Sequence, residues 1–232
     1  MALPLLLVPG LTCSARLWGP QIEALWRFGP VTVVDHRSDD SMDAIARRIL
    51  QDAPPRFALA GLSMGAYIAF AMLRQAPERI AKLALLDTSA RPDLPEQTAG
   101  REIQIAMAQS GRFAELPEQS IERYLHPAHQ SDPVLAGLVR RMAEDTGPEA
   151  FVRQMRAIIG RPDSRPLLGA IRCPTLVLVG DGDAATPPEL AREIASGITG
   201  AKLVVVAHCG HLSTLEQPEA VNAALSDWLE DT

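Results

Sequence analysis

Three features are scarce in this 232-residue chain: cysteines, basic clusters and long apolar runs. The three cysteines, Cys13, Cys173 and Cys209, are scattered without C-x-x-C spacing, which excludes a disulfide scaffold and predicts reduced thiols in the cytoplasm. The formal net charge is -6 and no group of lysines and arginines forms a phosphate-binding face, which argues against nucleic acid as a partner. No apolar run approaches the roughly 18 residues of a bilayer span, so we expect no membrane insertion.

Metal-ligand spacing is also missing. The histidines and acidic residues do not follow H-x-x-x-H or a similar pattern, so we expect neither a metal nor an organic cofactor. A composition of 47% hydrophobic and 22% charged residues is typical of a globular domain and too apolar for disorder. A small molecule is therefore the expected partner.

Strand-like and helix-like segments alternate along most of the chain. Six short, continuously apolar runs begin at residues 3, 31, 57, 83, 174 and 202, as expected of strands buried on both faces of a parallel sheet. Helical patterns lie between them, at residues 20–28, 41–52, 64–75, 188–197 and 218–230, and we expect Trp26 of the first to pack against the fold. The pattern predicts a mostly parallel, doubly wound α/β sheet of about six strands.

One section breaks the alternation. Between residues 91 and 165 no strand-like run occurs, and apolar residues recur at three- and four-residue intervals between Pro and Gly breaks. We interpret residues 91–165 as a helical cap inserted into a core domain made of residues 1–90 and 166–232. In sheets of this kind ligands bind beyond the carboxyl ends of the strands.

A serine stands at such a strand end. Ser63 lies in "GLSMG", after a predicted strand and before a predicted helix, and matches the G-x-S-x-G nucleophile elbow. Gly61 and Gly65 are explained sterically, because side chains there would collide with the neighbouring strand and helix. The pattern predicts a nucleophilic serine held above the sheet.

A base and an acid are needed to activate that serine. His211, in the loop after the last strand, is the preferred base, and His208 is its nearest rival. Asp183 is the preferred acid, because a carboxylate beyond its strand end can meet the far nitrogen of the imidazole. Asp87, at the end of the preceding strand, remains an alternative acid, whereas Asp181 is expected to shape a turn.

Backbone N–H groups are the expected donors to a developing oxyanion. Met64 N–H begins the helix after the serine, and the loop after the first strand supplies the second donor, for which Leu11 N–H is our choice.

Four segments together resemble the α/β-hydrolase fold superfamily, of the capped serine esterase kind. They are "LLLVPGLTCSARLW" at the oxyanion loop, "LAGLSMGAYIAF" at the elbow, "PTLVLVGDGDAATPPE" at the acid and "AHCGHLSTLEQPEAVNAALSDWL" at the histidine. The resemblance spans nearly the whole chain and implies the roles given above for Ser63, Asp183 and His211. One departure is that the His-Gly pair usual at the oxyanion loop is Pro9-Gly10 here.

The expected function is hydrolysis of a small-molecule carboxylic ester through a Ser-His-Asp triad and an acyl-enzyme intermediate. Hydrolysis of a carbon–carbon bond, acyl transfer with the same triad, and noncatalytic ligand binding remain alternatives, since a fold does not determine an activity. The oligomeric state is left open.

Substrate contacts are expected from residues 91–165. Its apolar side chains either roof an acyl pocket or form the core of the insertion; they are Ile103, Ile105, Met107, Phe113, Tyr124, Leu138, Met142, Phe151 and Met155. Its arginines either bind an anionic substrate or acidic carrier protein or are simply solvated; they are Arg140, Arg141, Arg153 and Arg156.

Overall fold

The computed structural model describes residues 2–231. The strands within them are Leu5–Val8 (β1), Val31–Val33 (β2), Phe57–Leu62 (β3), Ile80–Leu86 (β4), Thr175–Gly180 (β5) and Lys202–Val206 (β6). They form one sheet in the order β2-β1-β3-β4-β5-β6, and every neighbouring pair is parallel. The predicted α/β class and six-stranded parallel sheet are confirmed.

Helices connect the strands and follow the last one. Their bounds are Gly19–Leu25 (α1), Met42–Asp52 (α2), Met64–Gln75 (α3), Pro95–Gln109 (α4), Leu116–Tyr124 (α5), Pro133–Ile159 (α6), Arg165–Leu168 (α7), Pro188–Gly197 (α8), Ser213–Glu216 (α9) and Pro218–Glu230 (α10). In the part of the chain that the structure describes, no helix combines the length and apolarity needed to cross a membrane.

The first helix is shorter than its sequence pattern indicates. It ends at Leu25 and is followed by a 3-10 turn, Trp26–Phe28, which Gly29 closes with a φ of +149°. The expectation that Trp26 packs is wrong, because 71% of its surface is exposed; Trp18 is the tryptophan of this region that is fully buried.

Helices cover both faces of the sheet, as in a doubly wound fold, except that Leu203 and Val205 of the edge strand β6 remain exposed. Side chains alternate along β1, so Leu6 and Val8 pack in the cluster that includes α2, α3 and α8, whereas Leu5 and Leu7 pack in the cluster that includes α1 and α10. Because strands buried on both sides need apolar residues at every position, their sequences read as continuous apolar runs.

Residues 91–165 contain α4, α5 and α6 and no strand. Helix α6 is interrupted by a break at Gly147, whose φ is +74° and which precedes Pro148. The segment has its own small apolar cluster, which contains Ile105, Ala108, Leu116, Phe151, Val152 and Met155. Its two ends meet, since Ser164 N donates to the Ala90 carbonyl at 2.8 Å. The division into a core and a separate cap domain stays a prediction.

Candidate active site

Ser63 sits in a sharp turn between β3 and α3. Its backbone has φ +55° and ψ -114°, a conformation that non-glycine residues rarely adopt and that costs of order 1–3 kcal/mol. The turn is held by Ser63 N, which donates to Leu86 O at 2.9 Å, and by Thr88 Oγ1, which donates to Ser63 O at 3.0 Å. The strained turn leaves the side chain at the wall of a cavity.

The two glycines of the elbow allow this turn. A Cβ on Gly61 would lie 2.4 Å from the carbonyl carbon of Gly65, and a Cβ on Gly65 would lie 2.1 Å from the Val8 carbonyl oxygen. Both contacts are with backbone, which cannot move aside cheaply. The steric reason that the sequence indicates for the G-x-S-x-G spacing therefore agrees with the packing.

Three side chains from separate loops form a chain of hydrogen bonds. His211 Nε2 lies 2.9 Å from Ser63 Oγ, and His211 Nδ1 lies 2.8 Å from Asp183 Oδ2. Asp183 and His211 are only 3% and 4% exposed. The geometry matches a nucleophile, a base and an acid that orients the base.

Thr186, which sequence reasoning missed, supports this acid. Its Oγ1 donates to Asp183 Oδ2 at 2.7 Å and its N–H donates to Asp183 Oδ1 at 2.8 Å, and the Ala185 N–H donates to the same Oδ1 at 2.8 Å. These donors leave the carboxylate with few rotamers other than the one that meets His211. Short loop contacts of this kind have no distinctive sequence pattern.

The pKa of Asp183 is lowered and the pKa of His211 is raised, which are the directions that general base catalysis needs. Burial by itself would raise the pKa of Asp183, but the charge and hydrogen bond of His211 and the Thr186 donors outweigh it and lower that pKa. Burial would likewise lower the pKa of His211, but Asp183 outweighs it and raises that pKa. The carboxylate therefore stays ionised and favours the imidazolium that proton transfer from serine would form.

The alternative residues occupy other positions. Asp87 is fully buried and accepts hydrogen bonds from Ser213 Oγ and Gly180 N, not from His211; burial and then the charge of Asp183 raise its pKa well above the ordinary value. Asp181 accepts from Cys209 N at 3.1 Å and so holds the histidine loop. His208 is exposed and its ring lies 6.1 Å from that of His126, outside the cavity.

Glu216, on α9, anchors the loop that carries His211. Its buried carboxylate accepts from Gly210 N at 3.0 Å and Leu212 N at 3.3 Å, on the two sides of His211. The same carboxylate accepts from His126 N at 2.8 Å and contacts His129 Nδ1 at 2.9 Å, both from the segment after α5. One side chain thus ties the histidine loop to residues 91–165, and sequence reasoning missed it because glutamate in a helix is usually a surface residue.

Tyr124 makes a second connection between these regions. Its carbonyl accepts from His211 N at 2.6 Å, and its ring centroid lies 4.9 Å from that of His211. The imidazole is therefore packed between Asp183 and a residue of α5.

The N–H groups of Leu11 and Met64 are available as donors. Neither has an acceptor within residues 2–231, and Leu11 lines the same cavity as Ser63 and His211. Met64 is the first residue of α3, where backbone N–H groups lack helical partners.

A buried polar network holds the loop that carries Leu11. His36, from the loop after β2, donates from Nε2 to Gly10 O at 2.9 Å, and Gln154 Oε1 accepts from Thr12 N at 3.1 Å. Burial lowers the pKa of His36, which favours the neutral imidazole. The histidine usual in this loop is Pro9 here, and an imidazole from another loop makes the backbone contact instead; no local sequence signal pointed to it.

The cavity beside Ser63 has a volume of about 600 Å³ and a more polar wall than expected. Of the nine apolar residues expected either to roof it or to form the core of residues 91–165, Tyr124 lines it, Ile105, Phe151 and Met155 belong to the apolar cluster of residues 91–165, and Ile103 is exposed. The arginines of the wall are also different ones, since Arg140 pairs with Glu118 at 2.7 Å outside the cavity. No three His, Cys, Asp or Glu side chains of the described chain are grouped to hold a metal ion.

Several known proteins are similar to this chain over most of its length. A pimeloyl-[acyl-carrier protein] methyl ester esterase of Neisseria meningitidis is 27% identical over 91% of this chain and 85% of its own length. A thermophilic esterase from Thermogutta terrifontis has 33% identity and a TM-score of 0.88, with 98% of this chain and 89% of that one covered. An enol-lactonase from Burkholderia xenovorans has 26% identity and a TM-score of 0.90, with 100% and 92% covered. The sequence model of the alpha/beta hydrolase family matches residues 5–224, so this chain belongs to the alpha/beta hydrolase family and is a hydrolase.

Proposed function

We propose that this hydrolase cleaves a small-molecule carboxylic ester, with Ser63 as nucleophile, His211 as general base and Asp183 as the residue that orients the base. The observation that carries the proposal is the continuous path from Ser63 Oγ through His211 to Asp183, with distances of 2.9 and 2.8 Å, that opens into a cavity of about 600 Å³. This path is the arrangement that nucleophilic acyl transfer requires.

In the proposed reaction, Ser63 Oγ attacks the ester carbonyl while His211 Nε2 takes its proton. The protonated His211 then gives that proton to the departing alcohol, which leaves an acyl group on Ser63. Water attacks this acyl-enzyme, again losing a proton to His211, and the acid product leaves with Ser63 restored. Asp183 stays ionised throughout and stabilises the imidazolium.

Leu11 N–H and Met64 N–H are the proposed donors to the tetrahedral oxyanion. Loss of one such donor typically costs about 10²–10³ in turnover, so the contacts that position the Leu11 loop matter for rate. We propose that His36 and Gln154 act there as positioning residues.

The relatives support the reaction class. Two of the three compared above are named esterases, and the third is named an enol-lactonase, which acts on a cyclic ester. Ester hydrolysis therefore requires no step that differs from their chemistry. On this basis we propose that the expected small-molecule partner is an ester.

The test is intact-mass analysis after exposure to a fluorophosphonate, together with turnover of p-nitrophenyl esters. We expect one adduct on the wild-type protein, and loss of both adduct and turnover in Ser63→Ala. Ser196→Ala, which changes an exposed serine on α8, is the matched control and should keep both. No adduct on the wild type would reject the activated nucleophile and favour a noncatalytic binding protein, whereas an adduct without ester turnover would direct the search to carbon–carbon cleavage or acyl transfer.

A further inference from the structure

Five arginines line the cavity that contains Ser63. They come from separate elements of the chain, from the loop after β4 to α7, and are Arg91, Arg101, Arg123, Arg161 and Arg165. Glu96 is the acidic side chain among the lining residues of the described chain. A charge distribution of this kind is unusual for a cavity that would hold a plain alkyl ester.

Carboxylates next to the cavity neutralise this positive charge only in part. Glu193 accepts from Arg91 at 2.9 and 3.0 Å, and Asp163 pairs with Arg165 at 2.6 Å. A single buried carboxylate, Asp93, serves two guanidinium groups. It accepts from Arg101 at 2.7 Å and from Arg161 at 2.7 Å.

The Arg123 guanidinium makes no hydrogen bond or ion pair with any residue from 2 to 231. It immediately precedes Tyr124, the residue that packs on His211, and its positive charge acts to lower the pKa of His211. An unpaired guanidinium therefore lies within electrostatic reach of the reacting groups. Such a group binds a carboxylate by charge-assisted, often bidentate hydrogen bonds.

The rest of the wall fits a short aliphatic spacer. Tyr67, Leu190 and Ile158 line the cavity with Leu11, which lies at the proposed oxyanion loop. The cavity therefore offers apolar side chains for an aliphatic acyl chain as well as arginines for a charged end.

We propose that the preferred substrates are esters whose acyl group carries a carboxylate at its far end, and that Arg123 binds this carboxylate. The inference rests on the proposed ester hydrolysis and names its substrate class. A neutral alkyl end at the same place would lose the charge-assisted contact and gain none in return.

The experiment compares mono-p-nitrophenyl adipate with p-nitrophenyl hexanoate, which differ only in carboxylate against methyl at the chain end. We expect the wild type to favour the adipate by about tenfold in kcat/KM, mainly through KM, because one hydrogen bond to a charged group has this magnitude. Added salt should shrink the preference, since the arginine is exposed.

Arg123→Gln should remove about tenfold of that preference by raising KM for the adipate, and Arg123→Glu should reverse the preference. Arg140→Gln is the matched control, an arginine that pairs with Glu118 outside the cavity, and should keep the wild-type ratio. Rates are compared on the plateau of each pH profile, because loss of Arg123 also raises the pKa of His211.

The two proposals fail in distinguishable ways. A wild-type preference for hexanoate, or an unchanged ratio in Arg123→Gln, would overturn the carboxylate site while ester hydrolysis stands. If neither ester is cleaved and no fluorophosphonate adduct forms, the proposal of ester hydrolysis fails. A thermal-shift measurement then still tests the carboxylate site. Adipate should raise the Tm of the wild type but not that of Arg123→Gln, and the neutral adipamide should raise neither. Equal Tm shifts of the wild type with adipate and adipamide would reject the carboxylate site.

Discussion

Ser63, Asp183 and His211 lie beyond the carboxyl ends of the strands, and these loops differ from the helical segment of residues 91–165 in the contacts that hold them in place. In the loops after the strand ends, two kinds of contact fix the functional side chains. Backbone packing leaves no room for a side chain at Gly61 and Gly65, and buried hydrogen bonds hold the acid. Residues 91–165 have a small apolar cluster of their own, pack other apolar side chains such as Ile121 and Val139 on the main core, and carry exposed arginine–carboxylate pairs.

This contrast has an energetic meaning. A steric contact or a buried hydrogen bond tolerates little displacement, whereas an exposed ion pair contributes about 0–1 kcal/mol and can be exchanged for another. The part of the molecule proposed to perform the chemistry is thus rigidly built, and the part proposed to choose the substrate is easily altered. Four predictions test that comparison.

The largest effect on activity is expected at the buried acid. Asp183→Asn should lower kcat by on the order of 10⁴, because an amide does not stabilise the imidazolium and favours the wrong tautomer of His211. Steady-state kinetics with p-nitrophenyl esters measures it, and Asp227→Asn, which changes an exposed residue of α10, is the control. A loss of less than tenfold would indicate that another carboxylate, with Asp87 the first candidate, orients the base.

The pH profile of activity shows in which direction Asp183 shifts the pKa of His211. Asp183 raises the pKa of His211, so wild-type kcat/KM should fall, as the pH drops, through an apparent pKa above the ordinary histidine value of about 6.5. In Asp183→Asn that inflection should move to lower pH, because the group that favours the charged imidazole is gone. An inflection that stays in place would mean that a different group titrates.

A pair of glycine substitutions contrasts the two regions in stability. Gly65→Ala should lower the free energy of unfolding by at least about 3 kcal/mol, since its Cβ would meet the Val8 carbonyl oxygen at 2.1 Å. Gly100→Ala, in α4, meets nothing within 4 Å and should raise stability by about 0.5–1 kcal/mol. Urea unfolding measures both, and similar values for the two would contradict the contrast.

The smallest change is expected where the two regions meet. Glu216→Gln keeps one carbonyl oxygen for the histidine loop but places NH₂ against the His126 N–H and His129, so we expect about 1–3 kcal/mol of lost stability and about a tenfold lower kcat. Glu219→Gln, an exposed residue of α10, should change neither. Lower stability with an unchanged kcat would assign Glu216 a purely structural role.

Much of the fold could be read from local pattern. Continuous apolar runs predicted the strands because both faces of the sheet are covered, and the helix predictions at residues 64–75, 188–197 and 218–230 match α3, α8 and α10 in their bounds. The prediction for Trp26 failed because tertiary structure outweighed local propensity. Trp26 lies beyond the end of α1 in a 3-10 turn and is exposed. The cytoplasmic location expected from the scattered cysteines stays a prediction.

By itself, the sequence determined the elbow serine and the preferred histidine and acid, because a strand, a G-x-S-x-G turn and loop residues after strands are local signals. Only the tertiary structure decided that Asp183 rather than Asp87 meets His211, that His36 and Gln154 hold the loop that carries Leu11, and that Arg123 rather than Arg140 borders the cavity. These contacts join residues distant in the chain, and their partners are chosen by packing geometry, which no short stretch of sequence encodes.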